Sequence, residues 1–245
     1  MSATEISLLC MFIFIAAILY SAVGHGGASG YLAAMALFGV SPFVMKPVGL
    51  VLNLLVSGLA SVRFYRAKFF SWSIFLPFAL PAIPFAYLGG ALQVPSHTYK
   101  IIAGVVLLFS AYHFVVTSKK EEKDIKKIPL FFAILSGMGM GFLSGIIGVG
   151  GGIFLSPLLL LLGWATTKQT SGIAALFIFV NSLSGLLGHI SSVQMLPSYW
   201  PYLAVSAIAG GLIGSNLGTK RLNKTIIRRT LAIVLVIAGL KLIFV

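Results

Sequence analysis

The sequence predicts an all-α integral membrane protein, and three observations carry that prediction. They are its apolar content, a succession of apolar segments, and a glycine-rich pattern that occurs twice. Of 245 residues, 59% are hydrophobic and 9% are charged, with a mean hydropathy of +1.07. Soluble domains average about 25% charged residues, so the solvent for most of this chain is lipid. The opening run, 6–23, has only Glu5 ahead of it and no basic residue. It is therefore read as a retained span and not a secretion signal. Cys10 is the sole cysteine, which excludes an intrachain disulfide.

Taken in order, runs bounded by charge, Pro or Gly clusters lie near 6–23, 28–40, 44–62, 73–91 and 99–117. They resume near 129–147, 152–163, 170–190, 199–217 and 226–244. Between the two sets lies Ser118–Lys127, which holds Glu121, Glu122 and Asp124 among five lysines. The expected organisation is a first repeat over 1–117, a charged linker over 118–128 and a second repeat over 129–245. Internal similarity supports it. Val23-Gly24-His25-Gly26-Gly27-Ala28 aligns with Ile147-Gly148-Val149-Gly150-Gly151-Gly152, Ser57-Gly58-Leu59 with Ser184-Gly185-Leu186, and Gly89-Gly90 with Gly210-Gly211. Asn53 and Asn181 precede the Ser-Gly-Leu pair in each half.

Five segments per repeat is an odd number, so the second copy is expected upside down relative to the first. Basic residues test this, because cytoplasmic loops are rich in Lys and Arg. With ten segments, some of them half-spanning, and the linker inside, only Lys46, Lys100 and Lys241 fall outside. Both termini then face outward. The net charge of +13 is explained by topology and not by nucleic-acid binding.

Glycine lacks the Cβ that keeps a helix regular, so the two glycine runs predict broken or restarted helices. In lipid, unwound backbone persists only where protein or a water-filled cavity satisfies it. Paired breaks in corresponding halves point to a transporter's binding site; close helix packing through small residues is the competing reading. No segment interior contains a carboxylate, which disfavours cation carriage. Helix N-termini, with partial positive charge and free N–H groups, suit a small anion.

The expected ligand contacts are Gly26, Gly27, Gly150, Gly151 and Gly152 through backbone N–H groups, with Asn53 and Asn181 as side-chain donors. Interhelical hydrogen bonding is the other role open to the asparagines. His25, inside the first run, is read equally as a proton-linked group or as structural. Thr170 and Ser171 open the eighth segment and either meet the ligand or, more in keeping with their position, cap the helix. Lys46 and Lys168 are read as snorkelling anchors, with anion access as the alternative. His113 and His189 are read as structural, and Trp72, Trp164 and Trp200 as interfacial anchors. No phosphate loop, dinucleotide fingerprint, metal-spaced histidine pair or Ser/His/Asp grouping is present. Neither an enzyme nor a cofactor is expected.

These residues resemble the TauE/SafE family of sulfite exporters and related permeases. The resemblance rests on Gly148-Val149-Gly150-Gly151-Gly152-Ile153 with Pro157, on Thr170-Ser171, and on Ala209-Gly210-Gly211-Leu212-Ile213-Gly214. Weaker copies are Gly24-His25-Gly26-Gly27 and Leu88-Gly89-Gly90, with His25 standing where the second half has Val149. The resemblance implies transport of sulfite, sulfonates or related organosulfur anions across a bacterial-type plasma membrane. The resulting expectation is a secondary transporter, exporting by alternating access, with possible proton coupling. Uptake of another small anion or a neutral solute on the same scaffold, a passive channel or an intramembrane enzyme are the alternatives.

Overall fold

The computed structural model describes residues 1–22, 24–116, 125–189, 196–218 and 224–244. The described residues form ten helices: α1 Ala3–Ala22, α2 Ala28–Leu37, α3 Pro42–Arg66, α4 Trp72–Ala91 and α5 Ser96–Val116, followed by α6 Leu130–Ile147, α7 Gly152–Leu161, α8 Thr167–Gly188, α9 Trp200–Gly218 and α10 Lys224–Phe244. Each expected apolar segment is one helix. Most of the charged linker, and Lys220 and Arg221, lie outside the described residues.

At 1.5 Å rise per residue, about 20 residues cross a hydrocarbon core. Helices α1, α3, α4, α6 and α8 are long and apolar enough to do so. Helices α2 and α7 have 10 residues each, about 15 Å, or half a bilayer core. Each turns back along the helix before it. Ser29 Oγ donates to Tyr20 Oη at 2.8 Å, and the Phe12 and Phe38 rings meet edge-on at 5.8 Å, so α2 runs antiparallel to α1. The Phe132–Trp164 ring pair at 5.7 Å, and Lys126 N–H donating to Gly163 O at 2.9 Å, fold α7 back toward the start of α6.

The hairpins are held by helices from the other end of the chain. Helix α1 packs on α9, as α6 packs on α4, while α5 lies against α10 and α3 against α8. Glycines make the closest contacts, as expected where lipid supplies no hydrophobic drive between helices. Gly137, Gly141 and Gly145 of α6 lie on the carbonyls of Phe78, Ala82 and Ala86, and Gly210 and Gly214 of α9 lie on those of Phe14 and Ile18. Pro77, Pro81 and Pro84 sit within α4 without ending it; neighbouring helices make such residues tolerable in membrane spans.

Candidate functional site

The two glycine runs are the unwound tips of the two hairpins. Gly24, Gly27, Gly148, Gly150 and Gly151 all have positive φ, between +76° and +102°. Gly27 and Gly151 are the N-caps of α2 and α7 in the left-handed region, where a side chain costs about 1 kcal/mol or more. Side chains and neighbouring helix ends hold part of each tip's backbone. Tyr31 Oη donates to Gly26 O, and Tyr99 Oη donates to Ile147 O, both at 2.9 Å. The N–H of His25 donates to Tyr20 O at 2.9 Å and that of Gly148 to Ser144 O at 2.8 Å.

The tips meet on opposite sides of one contact between α3 and α8. A Cβ on Gly26 would lie 2.8 Å from Asn53 Oδ1 and 3.0 Å from Ile178 Cγ2. A Cβ on Gly150 would lie 2.8 Å from Asn53 Nδ2, 2.8 Å from Ser182 Oγ and 2.7 Å from Ile178 Cγ2. Only glycine lets both backbones approach this closely. Asn53 is fully buried near the middle of α3; its Nδ2 donates to Val149 O at 3.0 Å and, more weakly, to Ser182 Oγ at 3.5 Å, while Oδ1 has no hydrogen-bond partner. Two helix N-termini, each worth about half a positive charge, are thereby directed into one small volume.

The tips extend from this contact toward opposite ends of the bundle. Gly24 lies against Ser171, in the first turns of α8, while Gly148 lies against Lys46, in the first turns of α3; a Cβ there would be 2.9 Å from Lys46 O.

The expected site residues separate into groups on this geometry. Gly26, Gly150 and Gly152 come together on Asn53 and Ile178, with His25, Gly27 and Gly151 next to them in the chain, all buried. Asn181 is buried as well, but its Nδ2 donates to Phe177 O at 2.8 Å within α8, and none of the run glycines has it as a nearest neighbour. The residue standing opposite Asn53 is Ile178, an apolar side chain that no polar motif marks. Thr170 and Ser171 do not cap α8. Thr166 does, accepting from Gln169 N–H in a reciprocal capping box. The sequence pattern Thr166-x-x-Gln169 carried that signal. Thr170 Oγ1 is buried without a hydrogen-bond partner, and Ser171 Oγ donates to Thr167 O at 3.1 Å.

The two lysines also part company. Lys168 is exposed, 5.4 Å from the Phe69 ring centroid, in keeping with an anchor. Lys46 is no snorkelling anchor: it is 5% exposed, and its Nζ donates to Gly90 O at 2.8 Å, Leu92 O at 3.3 Å and Gly89 O at 3.5 Å. The three carbonyls end α4, where the helix dipole is negative, so the buried ammonium sits at the position that best tolerates it. His189 Nδ1 lies 3.2 Å from Gly90 O. Burial, with the nearby Lys46 charge, pushes the His189 imidazole down to about 4. Together with Gln93, Ser96, Tyr99 and Ile146, these residues line a cavity of about 150 Å³. The cavity and His189 were not expected to belong to the site. They are assembled from four separate helices and a loop, and no local motif announces them.

The chain matches the family described as sulfite exporter TauE/SafE over residues 9–242. It belongs to the TauE/SafE family. It is 37% identical to "Probable membrane transporter protein y4hK" of Sinorhizobium fredii, over 98% of this chain and 99% of that protein. Identity is 28% to "Probable membrane transporter protein MJ0441" of Methanocaldococcus jannaschii, over 73% and 70% of the two chains. It is 26% to "Probable membrane transporter protein YjnA" of Bacillus subtilis, over 98% and 100%. No solved structure gives a significant match. As a TauE/SafE protein, the chain is a multi-pass membrane transporter. Among its described helices the one carboxylate is Glu5, in the exposed first turn of α1. The polar groups this TauE/SafE chain places around the two tips are therefore backbone, hydroxyl, amide and imidazole groups, with the buried Lys46 beside the second.

Proposed function

We propose that the protein is a secondary transporter of a small sulfur-containing oxyanion, sulfite or a sulfonate such as sulfoacetate, working by alternating access. The observation that carries the reading is the convergence of the α2 and α7 N-termini on the Asn53–Ile178 contact. Helix N-termini paired across unwound backbone favour negative charge, and no carboxylate among the described core residues opposes it. In the conformation described, Asn53 and Ile178 fill the space between the tips. Binding at that level requires α3 and α8 to part, exposing N–H groups around Gly26, Gly27, Gly150, Gly151 and Gly152 together with the Asn53 amide. Rocking of one half against the other is the motion this scaffold favours.

The proposed arrangement has two inverted repeats, 1–117 and 129–245, in a bacterial-type inner membrane. The linker is cytoplasmic and both termini are outside. Exchanging α1–α5 for α6–α10 maps the main helix contacts onto one another, since α1 meets α9 as α6 meets α4. The hairpins re-enter from opposite faces, with Lys46 near one mouth and Ser171 and Lys168 near the other. An inside-negative potential drives an anion outward, which favours export.

The experiment is counterflow in proteoliposomes preloaded with sulfite, sulfoacetate, thiosulfate or acetate. Saturable exchange of the sulfur anions is the expected result. Exchange confined to acetate or a neutral solute would replace the substrate assignment, and non-saturable flux without counterflow would make the protein a channel. His25 is the proposed proton-linked group. An unchanged pH profile of transport in His25→Ala removes it from that role.

A further inference from the structure

We infer that the cavity beneath Lys46 is a second anion site, a vestibule in which a small oxyanion becomes the counter-ion that the buried lysine lacks. The inference rests on the anion-transport reading and adds to it a place where the solute is held before it reaches the glycine tips.

Outside 224–231, Lys46 is the one buried Lys, Arg, Asp or Glu among the described residues. The only described carboxylate, Glu5, is exposed and accepts from Ser2 N–H at 2.7 Å. The lysine's three hydrogens are all used on carbonyls of α4 and its C-terminal loop, yet carbonyl dipoles neutralise a buried unit charge only in part. A buried charge without an opposite charge is costly, and a charge-assisted bond to an oxyanion is about twice as strong as a neutral one. An incoming oxyanion can therefore displace one or two of those carbonyls from Nζ.

The surroundings fit such a ligand. The cavity of about 150 Å³ is lined by Lys46, His189, Gln93, Ser96 and Tyr99; pockets for drug-sized ligands measure roughly 300–1,000 Å³. The space suits sulfite or a two-carbon sulfonate and not a large organic anion. Its wall is fastened to the second tip: Ile146 lines it directly, Tyr99 Oη holds Ile147 O, and Lys46 backs Gly148. Withdrawing Lys46 from Gly90 and Leu92 also frees the end of α4 beside that tip.

The test uses full-length protein in nanodiscs, with sulfite and sulfoacetate as probes and dimethyl sulfone as the neutral isostere. Binding is read by calorimetry and KM by proteoliposome flux. Lys46→Met and Gln93→Glu are the variants. The first removes the charge; the second supplies an internal carboxylate from an exposed loop position, so the lysine is kept. Each is expected to weaken sulfite and sulfoacetate binding by about tenfold or more and to raise KM, with Lys46→Arg recovering part of the loss and dimethyl sulfone failing to bind wild type. If wild type exchanges the anions and both variants keep its affinity and KM, the vestibule is overturned while anion transport stands. Lys46→Met losing thermal stability while Gln93→Glu keeps wild-type KM also overturns it, because that pattern belongs to a lysine that merely caps α4. Wild type showing no saturable exchange of either anion overturns both readings.

Discussion

The first and second glycine tips have the same backbone design and opposite surroundings. The first is shut in: Gly24 lies against Ser171, Tyr31 fills the inside of the turn, and Gly172 next to Ser171 packs on the Phe69 carbonyl. The second rests against Lys46 and, through Ile146 and Tyr99, borders a cavity. A serine occupies one tip's mouth and a buried lysine the other's, although each stands a few residues into a long helix. The difference teaches that a repeated backbone can carry unlike chemistry at its two ends. One end is packed closed while the other holds charge and space.

The largest effect should come from filling the shared contact. Gly150→Val puts branched carbons where Asn53, Ser182 and Ile178 already lie within 2.8 Å, on a backbone at φ +76°. Transport is expected to fall by about a hundredfold or more. Gly139→Ala, with open space around it, should leave flux near wild type. Equal rates in the two variants would show that the tips do not need their close approach.

Next in size is the contrast between the asparagines. Asn53→Ala strands Val149 O, a loss of about 1–3 kcal/mol, and should lower the melting temperature and the flux together. Asn181→Ala gives up a bond within its own helix, so a smaller shift is expected in thermal unfolding. A larger effect from Asn181 would mean that it, and not Asn53, links the halves.

The closed mouth is tested by threonines. Thr166→Ala should cost about 1 kcal/mol through loss of the α8 cap, measured by chemical unfolding in nanodiscs. Thr170→Val removes a hydroxyl that has no hydrogen-bond partner and should be neutral or slightly stabilising. A marked loss of anion exchange in Thr170→Val with stability intact would assign that hydroxyl to the solute.

The smallest effect concerns the open mouth. His189 is held at about 4 against an ordinary 6.5, so the unfolded chain takes up a proton more readily. Its contribution to stability is complete above about pH 6.5 and is lost as the pH falls toward 4. His189→Gln should flatten the pH dependence of the melting temperature in that window. An unchanged slope would place His189 in contact with water.

Much of the fold could be read directly. Each apolar segment became a helix, because in lipid the backbone must bond within its own segment and local composition decides where it does so. The glycine tips were legible for the same reason: the loss of a Cβ is a local fact. What the sequence could not settle is which polar side chain faces which tip. Asn53 and Asn181 look equivalent when the repeats are aligned, yet the residue opposite Asn53 is Ile178. Lys46 resembles any lysine near a span end until the last carbonyls of α4, some 44 residues away, arrive beside it. Helix and break are set by short-range chemistry. The counterpart of a buried charge or amide is chosen by packing between distant segments, and only the assembled bundle decides that.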